Sequence, residues 1–238
     1  MPKNSEKELI SLKEEINSMW KLVLSQVQKC KQAYLTGNVV LAHEVVVREK
    51  SVNSFELSID IGSENYIALF TPVAMDLRWI ISMIKISATL ERIADFADGI
   101  ARHVIEDNSD LVPESVKDDL KIEAMFDAVI SMLSDSYVAL ETENTKISGK
   151  ILQKDDIVDK LYQDGRRYLA EYIQKEPAKG SSILNTFLTL RKIERIGDHC
   201  CNIVEEIVFY IDAKVLKHSK AKNKISRLET ESEVGTQE

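Results

Sequence analysis

Apolar residues recur along this chain at spacings of three and four. Ile86, Leu90, Ile93, Ala97, Ile100 and Val104 form one such series; Ile193, Ile196, Cys200, Ile203, Ile207 and Ile211 form another. Ile151, Val158, Leu161, Gly165, Tyr168 and Tyr172 recur at three, four or seven. This period places a continuous apolar stripe on one face of an α-helix. The runs are interrupted at Thr36-Gly37-Asn38, at Phe70-Thr71-Pro72, across residues 107–113, more softly across 143–149, and firmly across 177–182. Gly, Pro, Asn and Asp supply turn chemistry at most of these points. Six helices of roughly 26 to 33 residues are predicted, each about 40–50 Å long at about 1.5 Å per residue.

The pattern is duplicated. Residues 90–98 read Leu-Glu-Arg-Ile-Ala-Asp-Phe-Ala-Asp, and residues 193–199 read Ile-Glu-Arg-Ile-Gly-Asp-His. Glu91 and Asp95 are thus answered by Glu194 and Asp198, 103 residues on. Glu49-Lys-Ser-Val-Asn53-Ser-Phe-Glu56 is answered 106 residues on by Asp155-Asp-Ile-Val-Asp159-Lys-Leu-Tyr162. The prediction is an all-α fold of two similar three-helix bundles, six long antiparallel helices in all, from an internal duplication. The first unit is expected at residues 5–106 and the second at 113–213. Residues 214–238 are first basic (Lys214, Lys217, Lys220, Lys222, Lys224, Arg227) and then acidic. With no sustained apolar stripe they are expected to form a disordered tail. Its basic part fits either a cation cluster at a helix C-terminus or a contact with anionic lipid or an acidic partner.

Composition narrows the function. Of 238 residues, 44% are hydrophobic and 29% charged, and the formal net charge is −8. That balance argues against general nucleic-acid binding. No secretory h-region opens the sequence and no run of 18 apolar residues interrupts it, so neither export nor a membrane span is expected. Three cysteines without CxxC spacing read as buried thiols of a reducing cytoplasm. Enzyme motifs are missing: no Gly-rich phosphate loop, no GxSxG, no Glu-x-x-His. His43-Glu44 is followed by three valines rather than by HExxH spacing. Nothing makes a positive case for an enzyme.

The remaining chemistry lies in the acids. Residues four apart share a helix face, so each copy of the motif sets two carboxylates side by side, where they repel. On a helical wheel, Glu91, Asp95, Asp98 and Arg102 fall opposite the apolar stripe of their helix, and Glu194 and Asp198 likewise avoid theirs. In the second helix Glu49, Asn53, Glu56 and Asp60 form one row, and in the fifth the row begins at Asp155 and Asp159. Rows facing a common groove would gather oxygen donors suited to a hard cation such as Mg²⁺, Mn²⁺ or Ca²⁺, or to iron. His199 lies about 100° round the helix from Asp198. The plainer alternative is a solvated face, with Arg92 and Arg195 pairing the acids.

These residues resemble the PhoU family, the bacterial phosphate-uptake regulators. The resemblance spans residues 5–213 and rests on three stretches and one pair. The stretches are Pro72-x-Ala74-x-Asp76-Leu77-Arg78, Leu90-Glu91-Arg92-Ile93-x-Asp95-x-Ala97-Asp98 and Ile193-Glu194-Arg195-Ile196-Gly197-Asp198-His199-x-x-Asn202-Ile203. The pair is Val52-Asn53 with Val158-Asp159. It implies metal sites at Glu91 and Asp95 with Asp98 nearby, and at Glu194 and Asp198 with Asn202 nearby. Partner helices would add Glu49 with Asn53, and Asp155 with Asp159. Asn53 departs from the family's acid and carries no charge, which brings in Glu56 or Asp60. Ala94 stands where the family's small residue is usually Gly.

The resemblance further implies a non-catalytic adaptor. It would be a negative regulator of phosphate uptake and of the phosphate-starvation response, linking a phosphate ABC transporter to a sensor histidine kinase. Iron, zinc, manganese or magnesium would be bound. A cytoplasmic homodimer, with peripheral contact at the inner face of the membrane, is expected. The alternative on the same fold is a metal-storage protein or a metal-dependent phosphohydrolase.

Overall fold

The structure is a computed structural model that describes residues 3–106 and 111–215. Those residues form seven α-helices and two short 3-10 turns, with no strand among them. The helices are α1 (Lys3–Thr36), α2 (Val39–Phe70), α3 (Ala74–Glu106), α4 (Glu114–Asp119), α5 (Ile122–Glu141), α6 (Ser148–Lys175) and α7 (Gly180–Asp212). The basic and acidic tail beyond Val215 lies outside the described residues.

Local chemistry explains the boundaries. Between α1 and α2, Gly37 takes φ 65°, a left-handed conformation that glycine adopts without a Cβ penalty. Asn38 then caps α2, its side chain accepting from the backbone N–H groups of Val40 and Leu41. Thr71 ends α2 in the left-handed region, and Pro72 follows.

One predicted helix is broken. The fourth run is not continuous: α4 stops at Asp119, and Lys121 turns left-handed at φ 52° before α5 begins. The reason lies in α1. Lys117 is 8% exposed, and its ammonium donates to the carbonyls of Tyr34 (3.0 Å) and Leu35 (3.1 Å). These are among the last carbonyls of α1, which lack helical partners and carry the negative end of its dipole. The short α4 is angled to cap a neighbouring helix rather than to extend its own.

The first bundle is α1–α3 and the second α5–α7, and the duplication is visible in their burial. Ala42, Val45, Val52, Ile59 and Ser63 are buried on α2; so, 106 residues on, are Ser148, Ile151, Val158, Gly165 and Leu169 on α6. The bundles join along α3 and α7. Arg78 reaches the carbonyl of Tyr210, Lys85 reaches Glu206, and Lys192 reaches the carbonyl of Gly99, so the two helices run antiparallel. Phe96 and His199 occupy equivalent positions in the two motifs and meet across this junction, ring centroids 5.5 Å apart. A pseudo-two-fold axis therefore passes beside them. Elsewhere the indole of Trp20 on α1 donates to the carbonyl of Leu133 on α5 at 3.1 Å, a buried bond between the bundles.

Candidate metal centres

The acidic rows lie in two equivalent seams, α2 against α3 and α6 against α7. Asn53, Asp60 and Asp95 are exposed, outside the core as the helical wheel indicates, while other members of the rows are part-buried. The side chains of Glu91, Asp98 and Glu194 are only 19%, 13% and 13% exposed. A wheel separates inside from outside; it does not show that a neighbouring helix covers the border between them.

In the first seam, Glu91 is crowded. Burial, then the nearby carboxylates of Asp95 and Glu56, push its pKa up to about 7. Glu56 is raised in turn by burial and by Asp60 and Asp95. Glu91, Asp95, Glu56 and Asp60 thus form one electrostatic group, with Arg92 at 3.7 Å from Glu91 as partial relief. Glu49 and Asn53 stand apart from it. The Asn53 amide donates to Glu49 at 2.5 Å, while Asp98 accepts from Arg102 at 2.6 Å. Asp98 keeps its other oxygen buried without a hydrogen-bond partner.

The second seam uses other pieces. Burial, then Asp198, raises the pKa of Glu194, and Asp159 across the seam adds to it. Arg191 lies 3.3 Å from Glu194 and Arg195 3.5 Å from Asp198, yet Glu194 Oε2 remains buried with no hydrogen-bond partner. Asp155 leans over α7 at Gly197: a Cβ built there would stand 3.0 Å from Asp155 Oδ1. The glycine of the motif therefore leaves room for an opposing carboxylate. Burial and that carboxylate push up the thiol of Cys201, which is half-buried. Asn202 follows on the same helix, exposed.

His199 packs its ring, tilted by 38°, against that of Phe96; burial lowers its pKa, against the pull of Asp198. Tyr162, which the 106-residue offset sets in the place of Glu56, supplies no carboxylate and instead carries Arg191 over its ring at 5.6 Å.

Among the described residues, no three or more His, Cys, Asp or Glu side chains stand together as a finished cation cage. The donor chemistry does fit a hard cation. Oxygen donors from two helices converge on each seam, several carboxylates disfavour their own charge, and Glu194 keeps a buried oxygen unpaired.

Two copies of one three-helix unit, each with an acidic seam between equivalent helices, make this a duplicated helical-bundle protein. A family model described as PhoU domain matches it twice, at residues 16–104 and 122–207, and the chain belongs to that family. It is 33% identical over 220 residues to the phosphate-specific transport system accessory protein PhoU homolog of Aquifex aeolicus, covering 92% of this chain and 97% of that one. The PhoU protein of Escherichia coli K12 is 31% identical over 211 residues, 89% of this chain and 86% of its own. The crystal structure of PhoU from Pseudomonas aeruginosa superposes with a TM-score of 0.82 at 28% identity, covering 88% of this chain and 99% of that one. Among the described residues no helix is long and apolar enough to cross a membrane.

Proposed function

We propose that this chain is a negative regulator of phosphate uptake and of the phosphate-starvation response. It acts as an adaptor between a phosphate ABC transporter and a sensor histidine kinase. The observation that carries this reading is the paired PhoU-domain match across nearly the whole chain, in company with relatives named as accessory proteins of the phosphate-specific transport system. A strain lacking the protein is expected to express transporter and phosphatase at high levels even in phosphate-rich medium. Unchanged expression would refute the proposal.

The adaptor is a metal-binding one in this reading, working as a cytoplasmic homodimer in peripheral contact with the inner face of the membrane. Glu194, Asp198, Asp155 and Asp159 would hold one ion, with Asn202 beside them. Glu91, Asp95, Glu56 and Asp60 would hold the other, flanked by Asp98, Glu49 and Asn53. A bound cation would supply positive charge to each seam. The protein's part is to place anionic oxygens of two helices within reach of it, so that binding clamps α2 to α3 and α6 to α7. Elemental analysis of protein purified without added metal or chelator tests this directly. Turnover of phosphate esters that is lost in Glu91→Gln or Glu194→Gln would replace the adaptor reading with a hydrolytic one.

A further inference from the structure

The interior is not apolar throughout. Ser182, Thr186 and Thr189 on α7 are 4%, 2% and 0% exposed. At the 103-residue offset of the motif, α3 carries Trp79, Met83 and Ile86 in their places, also buried. The fold therefore does not require hydroxyls at these positions, and a buried hydroxyl without a partner is costly. Tyr34 of α1 reaches the same region at 1% exposure. These four side chains and His103 of α3 line a nearly closed cavity of about 10 Å³ where the two bundles meet.

The hydroxyls are unevenly satisfied. Thr36, Thr89 and Thr186, the other threonines of the long helices, each donate to the carbonyl one turn earlier, at 2.7, 2.7 and 2.9 Å. That bond is the local outlet for a threonine inside a helix. Thr189 does not use it. Its Oγ1 is buried with no hydrogen-bond partner among the described residues, and so is the phenol oxygen of Tyr34. Burial raises the pKa of the phenol, which stays a neutral O–H donor. The hydroxyls of Thr186 and Thr189 stand near enough to pull that pKa the other way, without completing a hydrogen bond to it. We propose that the cavity binds a single ordered water. The water accepts from Tyr34 and Thr189 and donates to the spare lone pairs of Thr186 Oγ1, making the three hydrogen bonds usual for buried water. It ties α1 of the first bundle to α7 of the second. Size excludes a larger occupant, since roughly 10–15 Å³ of such space is what one water needs. No carboxylate lines the cavity, so a cation of similar size would find no charge to replace its hydration shell.

Two measurements on the full chain test this. A high-resolution crystal structure should show one solvent peak within hydrogen-bond distance of Tyr34 Oη, Thr189 Oγ1 and Thr186 Oγ1. A direct bond between the phenol and either threonine, with no peak between them, would overturn the proposal. Urea denaturation supplies a change of sign. Thr189→Val removes the hydroxyl and keeps the branched shape, so the bridged site should lose stability, with an unfolding equilibrium constant raised about fivefold or more. An unbridged hydroxyl demands the opposite, a variant at least as stable as its parent, because a buried unsatisfied group has been removed. That result would overturn the proposal as well. Tyr34→Phe should destabilise in the same way. In the double variant the combined factor should fall short of the product of the two, because either substitution alone already releases the shared water. Factors that simply multiply would mean that the two hydroxyls share nothing, and would overturn it too.

Discussion

Gly197→Ala separates the stability of the second seam from its chemistry. In the interior of a helix, replacing glycine with alanine is worth about 1 kcal/mol through backbone entropy. Against this gain stands one contact. The new methyl would lie 3.0 Å from Asp155 Oδ1, while Val129 Cγ1 and Val158 Cγ1 are at an ordinary 3.7 Å. Only the carboxylate must give way, by a few tenths of an ångström, and Asp155 is half-buried at the edge of the seam. The first seam shows that a methyl is compatible with this helix pair: Ala94 fills the equivalent position at 1% exposure. Urea denaturation in EDTA should therefore find Gly197→Ala unchanged or more stable by up to about 1 kcal/mol. Calorimetric titration with Mn²⁺ should show the second site weakened at least about tenfold, because Asp155 has been pushed off its line. A loss of more than about 2 kcal/mol in EDTA would refute the reasoning, since the carboxylate would then be a wedged structural element. Unaltered Mn²⁺ binding would remove Asp155 from the ligand set.

Asp95→Asn with Asp198→Asn should preserve the fold and raise metal-free stability by a few tenths of a kcal/mol per relieved repulsion, read from melts in EDTA, while abolishing Mn²⁺ binding. Lys117→Met should cost about 1–3 kcal/mol in urea melts, because the carbonyls of Tyr34 and Leu35 lose a buried donor; a neutral outcome would mean that water replaces it. Tyr168 governs part of the alkaline limb. Burial and the Asp119 carboxylate, to which its hydroxyl donates at 2.8 Å, push its pKa up to about 12. An unfolded tyrosine titrates near 10, so between about pH 10 and 12 the native state keeps a proton the unfolded chain has lost. Stability should fall as pH rises through that window, and Tyr168→Phe should make the fall shallower. An unchanged slope would show that the phenol is not held in this bond.

The fold was legible because its signal is long. Stripes at three and four persist over some thirty residues, and the second half repeats the first, so each helix was in effect observed twice. The break at Lys121 was not legible, because its cause is tertiary. No Gly or Pro marks it; a lysine turns left-handed so that Lys117, four residues earlier, can reach the end of α1. The acidic rows were legible as rows, and Glu56 does interact with Glu91 and Asp95 across the first seam, as Asp159 does with Glu194 across the second. Their depth was not, since depth depends on how closely a neighbouring helix approaches.

Gly197 and Ala94 carry the sharpest lesson. Read along one helix, the difference looks harmless. Read across the seam, it follows the length of the opposing acid. Asp155 is short, and its carboxylate comes close to the α7 backbone, where only a glycine leaves room. Glu49 is one methylene longer and is hydrogen-bonded to Asn53 on its own helix, so a methyl at Ala94 obstructs nothing. The first seam instead crowds Glu56 against Glu91, at the position where the second seam has Tyr162. Each half thus gathers a similar set of oxygens by a different route: a short acid over a glycine in one, a later acid on the same helix in the other. The seams should accordingly differ in affinity, and Glu56→Gln should weaken the first while leaving the second intact.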